Sequence, residues 1–126
     1  MDIPHTADFK YFIYDPHSFS TDAVLEMNQA VEEANRTLVV ITDPQIQLSK
    51  DYPVYTKANK AFFMHDCRGE VYFGYCWPGD STWIDFFNSE ARSYWKSMYR
   101  PERFTGSSRI YNFWIDMNEP SVFNAE

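Results

Sequence analysis

Asp116 and Glu119 bracket Met117-Asn118 directly after the apolar run Ile110-Tyr111-Asn112-Phe113-Trp114-Ile115. An acid placed there stands at the end of a strand, beside the ring of Trp114. Glycoside hydrolysis uses two carboxyl groups flanking the scissile bond, one to attack the anomeric carbon and one to protonate the departing oxygen. Aromatic rings give a pyranose an apolar wall, and short acids such as Asp2 and Asp43 accept hydrogen bonds from its hydroxyls. The spacing alone fits a second reading, in which Asp116 caps a following helix or sits solvated in a loop.

These residues need elements to hold them. From Thr21 to Ala34, the residues Ala23, Val24, Met27, Ala30, Val31 and Ala34 recur at helical spacing, with Ser20 or Thr21 as N-cap. The β-branched run Leu38-Val39-Val40-Ile41-Thr42 follows and reads as a buried strand ending at Asp43-Pro44. A second cycle pairs a helix over 89–99, with Ala91, Tyr94, Trp95 and Met98 on one face as core, with the strand 110–115. Arg92, Lys96, Arg100 and Arg103 read as solvated charge around that second helix. Alternating helices and buried strands predict a parallel sheet covered by helices, of the doubly wound or barrel class. The loops after strand C-termini then carry the site, where Asp43, Trp77 and Asp116 fall.

Between the two cycles, Ala61-Phe62-Phe63-Met64 and Glu70-Val71-Tyr72-Phe73-Gly74-Tyr75 predict an aromatic hairpin over 61–76 with its turn near Arg68-Gly69. Trp77-Pro78-Gly79 by itself reads as a rigid turn with a buried indole. Asp2-Ile3 looks like the end of a strand, and three strand ends do not close a barrel of eight. The expectation is therefore a truncated chain.

Composition narrows the partners. A formal charge of -7 on 126 residues repels phosphate and argues against a nucleic-acid backbone. No run of about 20 apolar residues is present to cross a bilayer. His5, His17 and His65 lack metal-ligand spacing, and Cys67 and Cys76 have no companion ligands, so no metal is expected and free thiols are preferred to a disulfide. Asn35-Arg36-Thr37 is a glycosylation triplet that would matter only in a secretory compartment.

Trp114-Ile115-Asp116-Met117-Asn118-Glu119-Pro120-Ser121-Val122-Phe123 resembles the nucleophile signature of glycoside hydrolase family 31, the α-glucosidases and their relatives. Asp2-Ile3-Pro4-His5-Thr6 is similar to a strand end of that family, although Pro4 stands where an acidic residue is usual. Tyr11-Phe12-Ile13-Tyr14-Asp15, Val40-Ile41-Thr42-Asp43-Pro44-Gln45-Ile46 and Tyr75-Cys76-Trp77-Pro78-Gly79 match further family segments in order. The resemblance implies a partial (β/α)8 TIM barrel of early-to-middle strands over 1–126, and double displacement with retention through a covalent glycosyl-enzyme at Asp116. It also implies that Asp2, Ile3, Ile41, Asp43, Trp77, Trp114 and Met117 bind substrate, that no cofactor takes part, and that the general acid lies beyond Glu126. Without that acid, catalysis drops by on the order of 10² to 10⁴, so these residues alone are expected to be inactive.

The form of the motifs is closest to the glucosidase II and neutral α-glucosidase branch of the family. That branch implies terminal α-linked glucose on oligosaccharides or N-glycans as substrate, a regulatory β-subunit as partner, and the endoplasmic reticulum lumen, with the cytoplasm as alternative. The competing class is a non-catalytic carbohydrate-binding homologue that kept the aromatic pocket and lost the acid.

Overall fold

Asp2 opens the first turn: its side chain accepts from the Ile3 amide at 2.7 Å and caps a 3₁₀ turn over Ile3–His5. The strand ending expected at Asp2-Ile3 is not found: Ile3 belongs to this turn, and the first strand begins at Thr6. Strands β1 (Thr6–Ala7) and β2 (Lys10–Tyr14) then form an antiparallel hairpin whose turn residues Asp8 and Phe9 have φ of 50° and 59°, the left-handed pair that tight hairpins require. The computed structural model describes residues 1–123.

Helix α1 (Thr21–Glu33) begins where the Ser20 side chain accepts from the Ala23 amide. It ends with Asn35 in the left-handed region and the Arg36 amide returning to the Val31 carbonyl. Its buried stripe is narrower than the spacing suggested. Val24 is buried and Met27 and Val31 are half-buried, while Ala23, Ala30 and Ala34 face solvent. Alanines offer little area to bury, so the large side chains set the helix rotation. The stripe also contains Asn28, whose Nδ2 donates to the Gly106 carbonyl at 2.7 Å and whose Oδ1 accepts from the Tyr111 hydroxyl at 3.0 Å.

After β3 (Leu38–Ile41) come β4 (Gln45–Gln47), the single-turn helix α2 (Pro53–Thr56), a 3₁₀ turn over Lys60–Phe62, β5 (Gly74–Cys76) and β6 (Gly79–Trp83). Helix α3 (Ser89–Met98) starts on Asn88, whose side chain accepts from the Glu90 and Ala91 amides, and buries Ala91, Trp95 and Met98 as its spacing predicts. Arg92, Lys96, Arg100 and Arg103 are exposed around it. Strand β7 (Tyr111–Trp114) closes the series.

β3 and β7 pair in parallel with Leu38 opposite Tyr111 and Ile41 opposite Trp114. On the other side of β3, the Met1 amine donates to the Val39 carbonyl and the Ile41 amide donates to Met1, so β3 lies between two neighbours. No closed barrel forms among the described residues. Leu38, Val40, Tyr111 and Phe113 face the core, where Phe12 meets Trp95, Tyr99 and Phe104 edge-on. The opposite face is only partly covered, which corrects the expectation of strands buried throughout: Ile41 on it is buried, but Val39 is 49% exposed and Trp114 42%, with Ile115 just beyond at 60%.

The insertion also differs from expectation. The turn at Asp66–Gly69 forms, with Arg68 paired to Asp66 and Gly69 at φ 80°, but pairing between its arms stops after the His65–Val71 bridge and the Asp66-to-Glu70 and Tyr72-to-Met64 amide bonds beside it. The arms separate because each finds another partner. Phe63 bridges to Ile84, and β5 pairs antiparallel with β6, which pairs in turn with β4. A three-stranded sheet in the order β4-β6-β5 replaces the single hairpin. Cys67 and Cys76 are free thiols, the first exposed and the second buried. No helix among the described residues is long and apolar enough to cross a membrane.

Candidate active site

Register brings the acids to one rim. The Thr42 amide donates to the Trp114 carbonyl at 2.9 Å, carrying the β3–β7 ladder one step past its last paired residues. Asp43 and Asp116 each follow that ladder by two residues, and Asp2 follows Met1 on the other side of β3. Asp2, Asp43 and Asp116 therefore leave the same end of three adjacent segments.

Asp43 is fully buried. The Tyr11 hydroxyl donates to its Oδ2 at 2.5 Å and Gln45 Nε2 to the same oxygen at 3.1 Å, while Oδ1 has no hydrogen-bond partner among the described residues. Burial pushes the Asp43 carboxyl above the usual carboxylate range; the bonds from Tyr11 and Gln45 oppose this, and the charges of Asp116 and Asp2 add to it.

Asp116 is half-buried, and Met117 after it is held at φ 56°, a left-handed conformation costly for a side chain of this kind. The Ser121 amide closes the turn on the Met117 carbonyl at 3.0 Å. This loop docks on the β5–β6 turn. The Phe123 amide donates to the Tyr75 carbonyl at 2.9 Å, and its ring meets Trp77 edge-on at 4.8 Å. Trp77 is 47% exposed, so its indole is not buried as the motif alone suggested. Burial pushes the Cys76 thiol up, and the charges of Asp43 and Glu119 push it further, so the base of this hairpin also reaches the acids.

Of the residues expected to bind substrate, Asp2, Trp77 and Trp114 are exposed, Ile3 and Met117 half-buried, and Ile41 and Asp43 buried. A cleft of about 740 Å³ opens beside these acids, between β6, α3 and the loops after β3 and β7, where Thr42, Pro44, Trp83, Trp95, Ile115 and Asn118 line it without Asp43 or Asp116 themselves. Tyr11 and Gln45 were not picked out as site residues. Gln45 lies two residues from Asp43 at the start of a strand, a spacing that puts both on one face; Tyr11 is far away in the chain and carries no such signal.

Residues 1–126 match the model of the glycosyl hydrolases family 31 TIM-barrel domain. The chain belongs to glycosyl hydrolase family 31. Among family 31 relatives, neutral alpha-glucosidase C of Homo sapiens is 40% identical over 124 residues, covering 98% of this chain and 13% of that protein. Neutral alpha-glucosidase AB of Dictyostelium discoideum is 38% identical over 125 residues, again 98% of this chain and 13% of the relative. The solved heterodimer of ER glucosidase II, a catalytic subunit with the binding domain of its regulatory subunit, superposes with a TM-score of 0.94 at 40% identity, over 99% of this chain and 14% of that one. This family 31 chain thus spans about 13% of the length of these curated relatives.

Proposed function

We propose that residues 1–126 form a continuous part of the catalytic (β/α)8 barrel of a retaining α-glucosidase, with 61–76 as an aromatic insertion and Asp116 as the nucleophile. The observation that carries this reading is the shared rim: Asp116 follows β7 beside Trp114, next to Asp43 after β3 and to Asp2. Barrel enzymes keep their chemistry at that end of their strands. An Asp116 oxygen bonds to the anomeric carbon as the bond from that carbon to the leaving oxygen breaks. The leaving oxygen takes a proton from a general acid supplied beyond Glu126. Water then attacks the same carbon, the acid now accepting its proton, and Asp116 is released as carboxylate with configuration retained.

In this reading Asp2, Ile3, Ile41, Asp43, Trp77, Trp114 and Met117 form the sugar pocket. The exposed rings of Trp77 and Trp114 offer pyranose walls, and Asp2 accepts from sugar hydroxyls. Solved glucosidase II alpha subunits bound to alpha3-Glc2 and to Glc1Man2, each 40% identical to this chain, support terminal α-linked glucose on an oligosaccharide or N-glycan as substrate. The heterodimer supports a regulatory β-subunit as partner and the endoplasmic reticulum lumen as compartment, the cytoplasm being the alternative.

Incubating the intact protein with 5-fluoro-α-glucosyl fluoride, followed by digestion and mass mapping, tests the assignment. The expected adduct lies on the peptide containing Asp116, and Asp116→Ala abolishes both adduct and turnover. An adduct on another acid rejects Asp116 as nucleophile. Saturable binding of glucosyl oligosaccharides with neither adduct nor hydrolysis selects the non-catalytic homologue instead.

A further inference from the structure

The connection from α1 to β3 carries Asn35-Arg36-Thr37, the one Asn-X-Ser/Thr triplet in these 126 residues. All three residues are exposed, in the turn between Glu33 at the end of α1 and Leu38 at the start of β3. The turn is closed by its own backbone: the Asn35 amide donates to the Glu32 carbonyl at 2.8 Å and the Arg36 amide to the Val31 carbonyl at 3.0 Å. Neither the Asn35 carboxamide nor the Thr37 hydroxyl makes a hydrogen bond among the described residues. Asparagines elsewhere are put to structural use. Asn28 ties α1 to Gly106 and Tyr111, Asn59 accepts from the Ala61 amide and Asn88 caps α3.

The φ of 53° gives a conformational reason for asparagine at position 35, since Asn tolerates the left-handed region after a helix. That reason does not extend to Thr37, an exposed hydroxyl two residues further on. Transfer of a glycan to asparagine needs this spacing at the surface, where a bulky group is added without displacing a packed contact. The turn meets both needs. Asn35 also precedes β3 while Asp43 follows it, so at least the length of that strand, about 13 Å for four residues, keeps a glycan away from the rim that carries the acids.

We propose that Asn35 is an N-glycosylation site. A bond forms between Asn35 Nδ2 and the anomeric carbon of the innermost sugar of a lipid diphosphate-linked oligosaccharide. The bond from that carbon to the diphosphate oxygen breaks, the lipid diphosphate departs, and the amide nitrogen gives up one proton. The inference rests on the endoplasmic reticulum reading above, because transfer of this kind takes place on the luminal side.

The test treats microsomes from cells making the intact protein with protease, then releases glycans from the protected protein with peptide N-glycosidase and maps the peptides by mass. The expected peptide carries Asp at position 35 after release. Asn35→Gly and Thr37→Ala should each lose one step in gel mobility, and Thr37→Ser should keep it. Glycine accepts the positive φ and Thr37→Ala leaves Asn35 in place, so loss of the step in both variants does not come from a disturbed turn. A protected protein with an unmodified Asn35 peptide overturns the site and leaves the compartment standing, as does unchanged mobility in both variants. If protease reaches the protein without detergent, the compartment reading fails and the site with it.

Discussion

Gly74→Ala isolates the contact between the β5–β6 hairpin and the loop that carries Asp116. Gly74 is not in the left-handed region, so alanine brings no backbone strain. In open space the change would stabilise by about 0.4–1 kcal/mol through lost freedom of the unfolded chain. Here an added Cβ would lie 2.9 Å from Val122 Cγ1 and 3.1 Å from two ring atoms of Trp83. Trp83 is fully buried and cannot retreat, whereas Val122 is half-buried in the loop after β7. The loop therefore gives way, weakening the Phe123-to-Tyr75 hydrogen bond and the Phe123–Trp77 ring pair. Over-packing costs about 1–3 kcal/mol, and the unfolded-state gain offsets part of that, leaving a net loss of about 0.5–2 kcal/mol. Urea unfolding of the intact protein, with kcat/KM on the same samples, reads both consequences: a lower midpoint at unchanged slope, and reduced turnover as Asp116 moves with its loop. Val122→Ala removes the colliding methyl and should restore most of both in the double variant. A Gly74→Ala protein as stable and as active as the parent, or a double variant no better than the single, would refute the reasoning.

Asp43→Asn should change stability in a pH-dependent way. The folded protein holds the Asp43 proton more tightly than the unfolded chain, so the stability linked to it is present at low pH and lost as pH rises from about 3.9 through its raised folded value. The melting temperature of the Asn variant relative to the parent should accordingly be more favourable at pH 7 than at pH 4, and a difference independent of pH would contradict the burial argument. Thiol titration of the native protein should modify Cys67 quickly and Cys76 only after denaturation, since Cys76 is buried with its thiol pushed up; equal native rates would place Cys76 elsewhere. Phe104→Ala, which empties a buried site against Phe12, Tyr14 and Tyr111, should cost about 3–5 kcal/mol in chemical denaturation. A loss below about 1 kcal/mol would mean that this aromatic cluster is not the core.

The sequence by itself determined the elements whose signals are local. Both long helices and both parallel strands start and end within two residues of their predicted bounds, because caps at Ser20 and Asn88, helical spacing of large apolar side chains and β-branched runs all act over one or two turns. The position of Asp116 just past the end of a strand was also legible, because the apolar run before it is contiguous. Only the tertiary structure decided which distant residues meet. The β4-β6-β5 sheet arose because β6 outcompeted the local hairpin for both of its arms, and a choice between partners is not written in any one segment. The Asn28–Tyr111 bond joins residues whose polarity and size gave no hint of one another. The same holds at the site, where Tyr11 reaches Asp43 across the core. A hydrogen bond between residues so far apart in the chain depends on packing that sets both backbones, and spacing within either segment carries no trace of it.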